Sequence, residues 1–336
     1  MPRLRRVNPD SPGWTRRRQG KGFVYLDEEL RALGADDAAR CRSLVIPPAW
    51  TQVWICPAPN GHIQAVGTDD AGRRQYLYHP VWREQRDRAK HDRVLIVARR
   101  LPQARKVVAT HVARPGMPRE RALGTAFRLL DLGFFRVGGE QYAEDNGTFG
   151  LATIEKQHVH IAGNEVVFDY PAKSGRERLV AVADPAVIAA VSELRARRGG
   201  GRELLAFRDG TRWRDLTSTD INRYVKEVVG GEVSAKDFRT WHGTVLAAVA
   251  LADRADDIGS PTRRRKAVRA AMVEVAEYLG NTPTVARGSY VDPRLIDAYE
   301  SGTTIAPTLA KLGRRRRDAE QSRDVIERAV LRLLRD

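Results

Sequence analysis

Residues 278–300 read YLGNTPTVARGSYVDPRLIDAYE. Gly280 ends an apolar helical stripe formed by Val268, Met272, Val275 and Leu279. Thr282 with Pro283, and Asp292 with Pro293, are cap and first-turn pairs that start new helices. The three tyrosines therefore differ in setting. Tyr278 lies on the first helix and Tyr299 on the last, where packing explains them. Tyr290 falls between helices, behind Arg287, Gly288 and Ser289, in a segment that need not be rigid. Whether its phenol attacks anything depends on what the rest of the chain can bring to it.

The chain has 336 residues and is 42% apolar, enough for two folded domains. It contains no run of about 18 apolar residues, so no membrane partner is expected. The basic start, MPRLRRVNPDSPGWTRRRQGKGF, lacks the apolar core of a secretion signal. Cys41 and Cys56 are too few for a disulfide framework or a cysteine zinc site, which suits a reducing, cytoplasmic compartment. Lys and Arg number 58 against 42 Asp and Glu, a net charge of +16. A polyanion, nucleic acid first, is the expected partner. An evenly basic surface, or codon bias toward Arg and Ala, gives the same count without such a partner.

Up to residue 85 the chain alternates short aromatic and β-branched runs with turn residues. GFVYLD, TQVWICPAP, GHIQAVGTDD and RRQYLYHP are predicted strands, and PNGH at 59–62 is a hairpin turn. One helix, DEELRALGADDAARCRSL at 27–44, interrupts them. From Trp82 the pattern turns long, charged and helical. Pro118 opens a second helix, PRERALGTAFRLLDLGFFRVG. The expected organisation is a β-rich domain over residues 1–88 and a larger domain over 89–336. In the larger one, FGLATIEKQHVHIAGNEVVFDYPAKSGRERLVAVAD alternates as strands, with turns at Gly163-Asn164 and at Lys173-Ser174-Gly175. Helices follow in PAVIAAVSELRARR, TSTDINRYVKEVVG and SAKDFRTWHGTVLAAVALAD. In the last, Ser234 and Asp237 form a capping box, and Phe238, Trp241, Val245 and Val249 face the core. Arg239 lies off that stripe and need not be buried. The fold class is α+β: a small β-rich N-terminal domain plus a larger, mainly α domain with a small antiparallel sheet.

No G-x-x-x-x-G-K-[ST] loop and no H-E-x-x-H helix is present, and the seven histidines are scattered. Neither a metal nor a nucleotide cofactor is expected. A catalyst without them would act on an anion with side chains alone. Phosphoryl transfer on DNA then needs a hydroxyl nucleophile, fixed cations around the phosphorane, and an acid for the leaving oxygen. Arginine suits the second task because its fork grips two phosphate oxygens. FFRVGGEQY offers Arg136 behind two apolar residues, and AKDFRTWHG places Lys236 and Arg239 one helical turn apart. FDYPAKSGRERL sets Lys173 at a hairpin tip, and LGNTP sets Asn281 between two helices. Singly, each of these residues is most simply a solvated surface group.

In this order they resemble the type IB DNA topoisomerases, in the poxvirus-like and bacterial branch. The resemblance spans nearly the whole chain. It runs through TRRRQGKGFVYLD, IPPAWTQVWICPAPNGHIQAVGTDDAGRRQYLYHP, WREQRDRAKHDR, RVGGEQYAEDNGTFGLATIEKQHV, KSG, KDFRTWHGT and LGNTPTVARGSY. It implies a clamp of two domains around duplex DNA and a catalytic set of Arg136, Lys173, Arg239, Asn281 and Tyr290. Tyr290 would form a DNA 3′-phosphotyrosyl link, Arg136 and Arg239 would hold the phosphate, and Lys173 would protonate the departing oxygen. Asn281 stands where the poxvirus branch has His, which suits hydrogen-bond donation and not proton transfer. Implied DNA contacts are Arg73, Arg74, Gln75, Tyr76 and Tyr78 in GRRQYLY, together with Tyr142, Thr153 and Lys236. The competing account of Tyr76 and Tyr78 is alternating strand packing. Gly139 and Gln141 replace lysines of the poxvirus branch, so its target-sequence preference need not carry over.

The activity this implies is relaxation of positive and negative supercoils without ATP, by a monomer acting on double-stranded DNA at the nucleoid. A tyrosine site-specific recombinase shares the two arginines, the lysine hairpin and the tyrosine. That family usually has His-x-x-Arg where this chain has Lys236-Asp237-Phe238-Arg239, and its N-terminal domain is helical. A non-catalytic DNA-binding protein fits the composition but leaves the catalytic set unexplained.

Overall fold

The computed structural model describes residues 3–140, 143, 147–313 and 319–335. The chain divides into two compact units, Met1–Lys90 and His91–Asp336.

The first unit is β-rich. Strands β1 (Thr15–Gln19) and β2 (Gly22–Leu26) form an antiparallel pair. Helix α1 (Ala35–Ser43) follows, and then a three-stranded antiparallel sheet of β3 (Thr51–Ile55), β4 (Ile63–Thr68) and β5 (Arg74–Tyr78), with β4 central. Tyr25, Cys41, Ile46, Val53, Ile55 and Ala65 make its small core. The helix expected over 27–44 is shorter than its charge pattern suggested. Residues 27–31 are a turn instead. The Asp27 carboxylate accepts from the backbone N–H groups of Glu29 and Arg31, both at 2.9 Å, and Leu30 takes φ 63°. A side chain that caps its own turn competes with the helix. Strand β1, TRRRQ, carries no apolar alternation. Arg16 is held there by donating to the carbonyls of Ile46, Pro47 and Trp50 and by lying 4.0 Å over the Phe23 ring.

Helix α2 (Pro80–Val112) begins in the first unit and supplies Val94, Leu101, Val108 and Val112 to the core of the second. Helix α3 (Arg119–Gly133) starts after Pro118 as its N-cap. It stops at Gly133, short of the FFRVG that the periodicity included, because Phe134 turns left-handed at φ 56°. A three-stranded antiparallel sheet follows: β6 (Val159–Ala162), β7 (Glu165–Ala172) and β8 (Arg176–Val182), with β7 central. A 3-10 turn, Lys173–Gly175, joins β7 to β8. Helix α4 (Pro185–Ala196) leads to a hairpin of β9 (Ala206–Asp209) and β10 (Arg212–Asp215), which no sequence signal had marked.

Helices α5 (Ser218–Val229), α6 (Ala235–Ala252), α7 (Pro261–Leu279), α8 (Pro283–Ser289), α9 (Pro293–Glu300), α10 (Ala306–Gly313) and α11 (Ala319–Leu333) complete the unit. The caps read from sequence are present. Ser234 and Asp237 form the reciprocal capping box of α6, Thr282 accepts from Val285, and Gly280 closes α7 left-handed at φ 59°. The core runs through α2, α3, α6 and α7 to Val330 and Leu334 at the chain's end. The mainly helical second unit and β-rich first unit are the α+β organisation expected. No helix among the described residues is long and apolar enough to cross a membrane.

Candidate active site

The site forms where three backbone stops meet: the end of α3, the end of α7 and the short helix α8. Past Phe134, the backbone of Arg136 and Val137 is pinned by N–H groups of Leu151 and Ala152, at 2.8 and 2.7 Å. The two segments lie so close that a Cβ on Gly138 would sit 2.8 Å from the Gly150 Cα. This fixes Arg136, whose Nη2 donates to Asn281 Oδ1 at 2.7 Å and to the Gly280 carbonyl at 3.3 Å.

Arg239 is only 2% exposed, which corrects the expectation that it lies off the buried stripe. Helix α6 is enclosed on nearly every side: Asp237, Thr240, His242 and Thr244 are buried along with Phe238 and Trp241. Its carbonyl partners make the burial tolerable. The Arg239 guanidinium donates to Phe134 O and, at 2.6 Å, to Leu279 O. The left-handed Phe134 is what aims its carbonyl there.

Tyr290 caps the C-terminal end of α8, with its N–H donating to Ala286 O at 3.0 Å. Its carbonyl accepts from Thr244 Oγ1 at 3.3 Å, and the Asp292 N–H donates to the same hydroxyl at 3.0 Å. The segment is thus tied to α6, not loose as the sequence allowed. Gly243 permits the approach: a Cβ there would stand 2.8 Å from the Tyr290 carbonyl oxygen. The Tyr290 ring lies 5.2 Å from the Arg239 guanidinium carbon. Burial pushes the phenol's pKa up, but Arg239, Arg136 and Lys236 outweigh it, and the net direction is down. For Arg239, burial and then Arg136 push the guanidinium pKa down, partly countered by Tyr290.

Lys173 sits exposed in the 3-10 turn between β7 and β8. With Arg136, Arg176, Arg178, Gly280 and Asn281 it lines a cleft of about 340 Å³. Arg136 links this cleft to the Tyr290–Arg239 pair, so the five residues read as a catalytic set gather in one region. Lys236 is exposed on the first turn of α6 and contributes to the field at Tyr290. Thr153 is 7% exposed and spends its hydroxyl within its own turn, accepting from the Gly150 N–H at 3.0 Å. Tyr142 and Gln141 lie outside the described residues.

In the first unit, Arg74, Tyr76 and Tyr78 share the exposed face of the edge strand β5. The two rings stack at 6.0 Å and are 39% and 46% exposed, so strand packing does not account for them. Arg73 and Gln75 both reach the Asp69 carboxylate at 2.9 Å, and Arg74 reaches Asp10 at 2.7 Å. The Arg73 backbone N–H and then its guanidinium hold Asp69 down to about 2.

Sequence reasoning missed Gly243, Tyr170 and Arg178. Tyr170 and Arg178 are partners across the β7–β8 ladder, and alternation along β8 from the Lys173 turn would have placed Arg176 and Arg178 on one face.

Residues 79–305 match the family described as eukaryotic DNA topoisomerase I, catalytic core. Residues 22–69 match the N-terminal domain of bacterial DNA topoisomerase IB. A protein of Acanthamoeba polyphaga mimivirus named DNA topoisomerase 1B is 27% identical over 298 residues, covering 86% of this chain and 88% of the relative. The DNA topoisomerase 1B of vaccinia virus (strain Copenhagen) and the DNA topoisomerase I of monkeypox virus are each 21% identical over 238 residues, 69% of this chain and 71% of theirs. The chain belongs to the type IB DNA topoisomerase family.

Proposed function

We propose that this protein relaxes supercoiled duplex DNA, of either sign, by cutting one strand through Tyr290, letting it swivel and resealing it. The observation that carries this is the Tyr290 phenol set against Arg239, inside an arginine group whose hydrogen bonds go to neutral oxygens. The phenol loses its proton to solvent, and its oxygen attacks the scissile phosphorus. The bond to the 5′ oxygen breaks, leaving a 3′-phosphotyrosyl ester. Lys173 supplies the proton that the departing oxygen takes up. Arg136 and Arg239 hold the non-bridging oxygens as charge builds, with Asn281 completing the grip. The freed 5′ end turns under the helix's own torque. Its hydroxyl then returns its proton to Lys173 as it attacks the ester, and tyrosine leaves as a phenolate that regains a proton from solvent. The phosphodiester energy is conserved throughout, so resealing requires no ATP. The surrounding guanidinium groups supply the positive charge. In this scheme residues 1–88 and 89–336 close on the duplex as two domains, with Arg73, Arg74, Gln75, Tyr76 and Tyr78 on the backbone and groove edges.

Plasmid relaxation in EDTA, without nucleotide, is the expected result. Tyr290→Phe should abolish covalent capture of DNA while duplex binding persists. A requirement for Mg²⁺ or ATP would overturn the mechanism. Loss of capture in Tyr299→Phe but not in Tyr290→Phe would overturn the nucleophile; Tyr299 is 1% exposed and donates to Arg254 O at 2.7 Å. Strand exchange between two site-bearing duplexes would favour a recombinase.

A further inference from the structure

At the end of α7 the backbone runs out of helical partners. The Asn281 N–H reaches back to Ala276 O and the Gly280 N–H to Glu277 O. The next carbonyls each accept from a different arginine. Tyr278 O takes Arg178 Nη2 at 2.7 Å, and Leu279 O takes Arg239 Nη2 at 2.6 Å. Gly280 O takes Arg136 Nη2 at 3.3 Å, and Asn281 O takes Arg176 Nη1 at 3.4 Å. Four guanidinium groups that repel one another are thus gathered by the negative pole of one helix.

Arg178 stands out in this row. It lies opposite Tyr170 in the β7–β8 ladder, so a rigid sheet fixes its origin. Tyr170 is 2% exposed and stacks on Phe135 at 6.2 Å, one residue before Arg136. Arg178 also closes over the turn itself: a Cβ on Gly280 would come within 2.8 Å of its Nη1. Burial raises the Tyr170 phenol's pKa, with Arg178, Arg239 and Arg136 opposing, so these groups share one field.

We infer that Arg178 is a positioning residue for strand cleavage: by holding the Tyr278 carbonyl it fixes the 278–282 turn that presents Asn281 to Arg136. The inference rests on the cleavage reaction proposed above. Asn281 begins three residues beyond the anchored carbonyl, and its Oδ1 is the short contact that orients Arg136. A loosened turn therefore misplaces a phosphate-binding arginine without removing any charge that touches phosphate, and small misplacements at a reacting centre are costly.

The test measures single-turnover covalent capture on a duplex whose cleaved strand dissociates, using the full chain. Arg178→Ala should slow capture roughly 10- to 100-fold, the loss of one charge-assisted hydrogen bond, with duplex affinity unchanged. Because the effect passes through Asn281, Arg178→Ala combined with Asn281→Ala should be no slower than the slower single variant. Arg178→Gln keeps an N–H donor without the charge, and should capture several-fold faster than Arg178→Ala. Wild-type rates in Arg178→Ala would overturn the inference, as would effects that multiply in the double variant. Equal rates for Gln and Ala would do so too, since they would assign Arg178 a role through charge alone. Should Arg178→Ala fail to fold, the Gln variant and its pairing with Asn281→Ala decide the question. If wild type forms no adduct, the cleavage reaction itself is wrong.

Discussion

Arg105 and Arg239 are both buried in the larger unit, 6% and 2% exposed, yet their partners are opposite in kind. Arg105 meets carboxylates: Asp131 at 2.9 Å, Glu327 at 2.8 Å and Asp324 at 3.1 Å. Arg323 joins them at 2.5 Å from Asp131. Among the described residues Arg239 meets no carboxylate: it donates to the carbonyls of Phe134 and Leu279 and faces the Tyr290 ring, and its Nε has no hydrogen-bond partner there. Carboxylates cancel a guanidinium's charge, whereas carbonyls fix its direction and leave the charge in place. The first arrangement joins helices to one another. The second keeps positive charge ready for an anion, in a protein whose family handles DNA.

Arg239 carries the largest expected effect on the reaction. Arg239→Ala should lower the capture rate by at least about 10² to 10³, the usual cost of removing one transition-state donor. Duplex binding should hold, and the urea midpoint should fall less than in Arg105→Ala, since the groups left unpaired are carbonyls and not charges. A collapse of the midpoint would mean Arg239 is structural, like Arg105. Asn281→Ala should cost less than Arg239→Ala in the same assay, because a neutral amide stabilises an oxyanion less than a guanidinium does.

Arg105→Ala should do the reverse. Asp131 and Glu327 keep Arg323 but lose their more buried partner, which should cost about 3 kcal/mol in stability, read by urea unfolding, with capture per folded molecule little changed. Acid should act on the same network. Burial opposes ionisation of Asp131 and Glu327, but the neighbouring arginines win and hold both carboxyls below their usual range. A depressed carboxylate contributes stability above its unfolded pKa, roughly 4, and loses it as pH falls toward the folded value. The wild-type urea midpoint should therefore drop below about pH 4, and Arg105→Ala should flatten that drop. An unchanged slope would show that the network is not what acid attacks.

The smallest effect is expected at β5. Arg74 is exposed and already paired with the exposed Asp10, so a phosphate there displaces a weak partner. Arg74→Ala should weaken duplex binding alike for all sequences and reduce the salt slope by about one. A sequence-dependent loss would instead make Arg74 a base reader.

The sequence showed most where local chemistry decides structure. Ser234, Gly280, Thr282 and Asp292 each mark a helix end by satisfying backbone groups, and their signals survive folding. The basic strand β1 was invisible because Arg16 is held by distant carbonyls at residues 46–50, not by any alternation. The β9–β10 hairpin was passed over between two strong helices. At the site, a resemblance in motifs named Arg136, Lys173, Arg239, Asn281 and Tyr290, but composition could not separate them from the other basic residues. Arg178 escaped because its meaning lies in what it touches: the Tyr278 carbonyl, 100 residues away in sequence.

The salt-linked network also sets an order of assembly. Arg105 waits for Glu327, which is 222 residues further along the chain. A ribosome delivers Tyr290 well before it delivers α11, so a nascent chain already holding every proposed catalytic side chain still has Arg105 and Asp131 short of their last partners. Contacts of such long separation form late. Under the proposed reaction, the nucleophile would then exist before the buried network is closed, and the α11 residues Val330 and Glu327 are among the last to join the core.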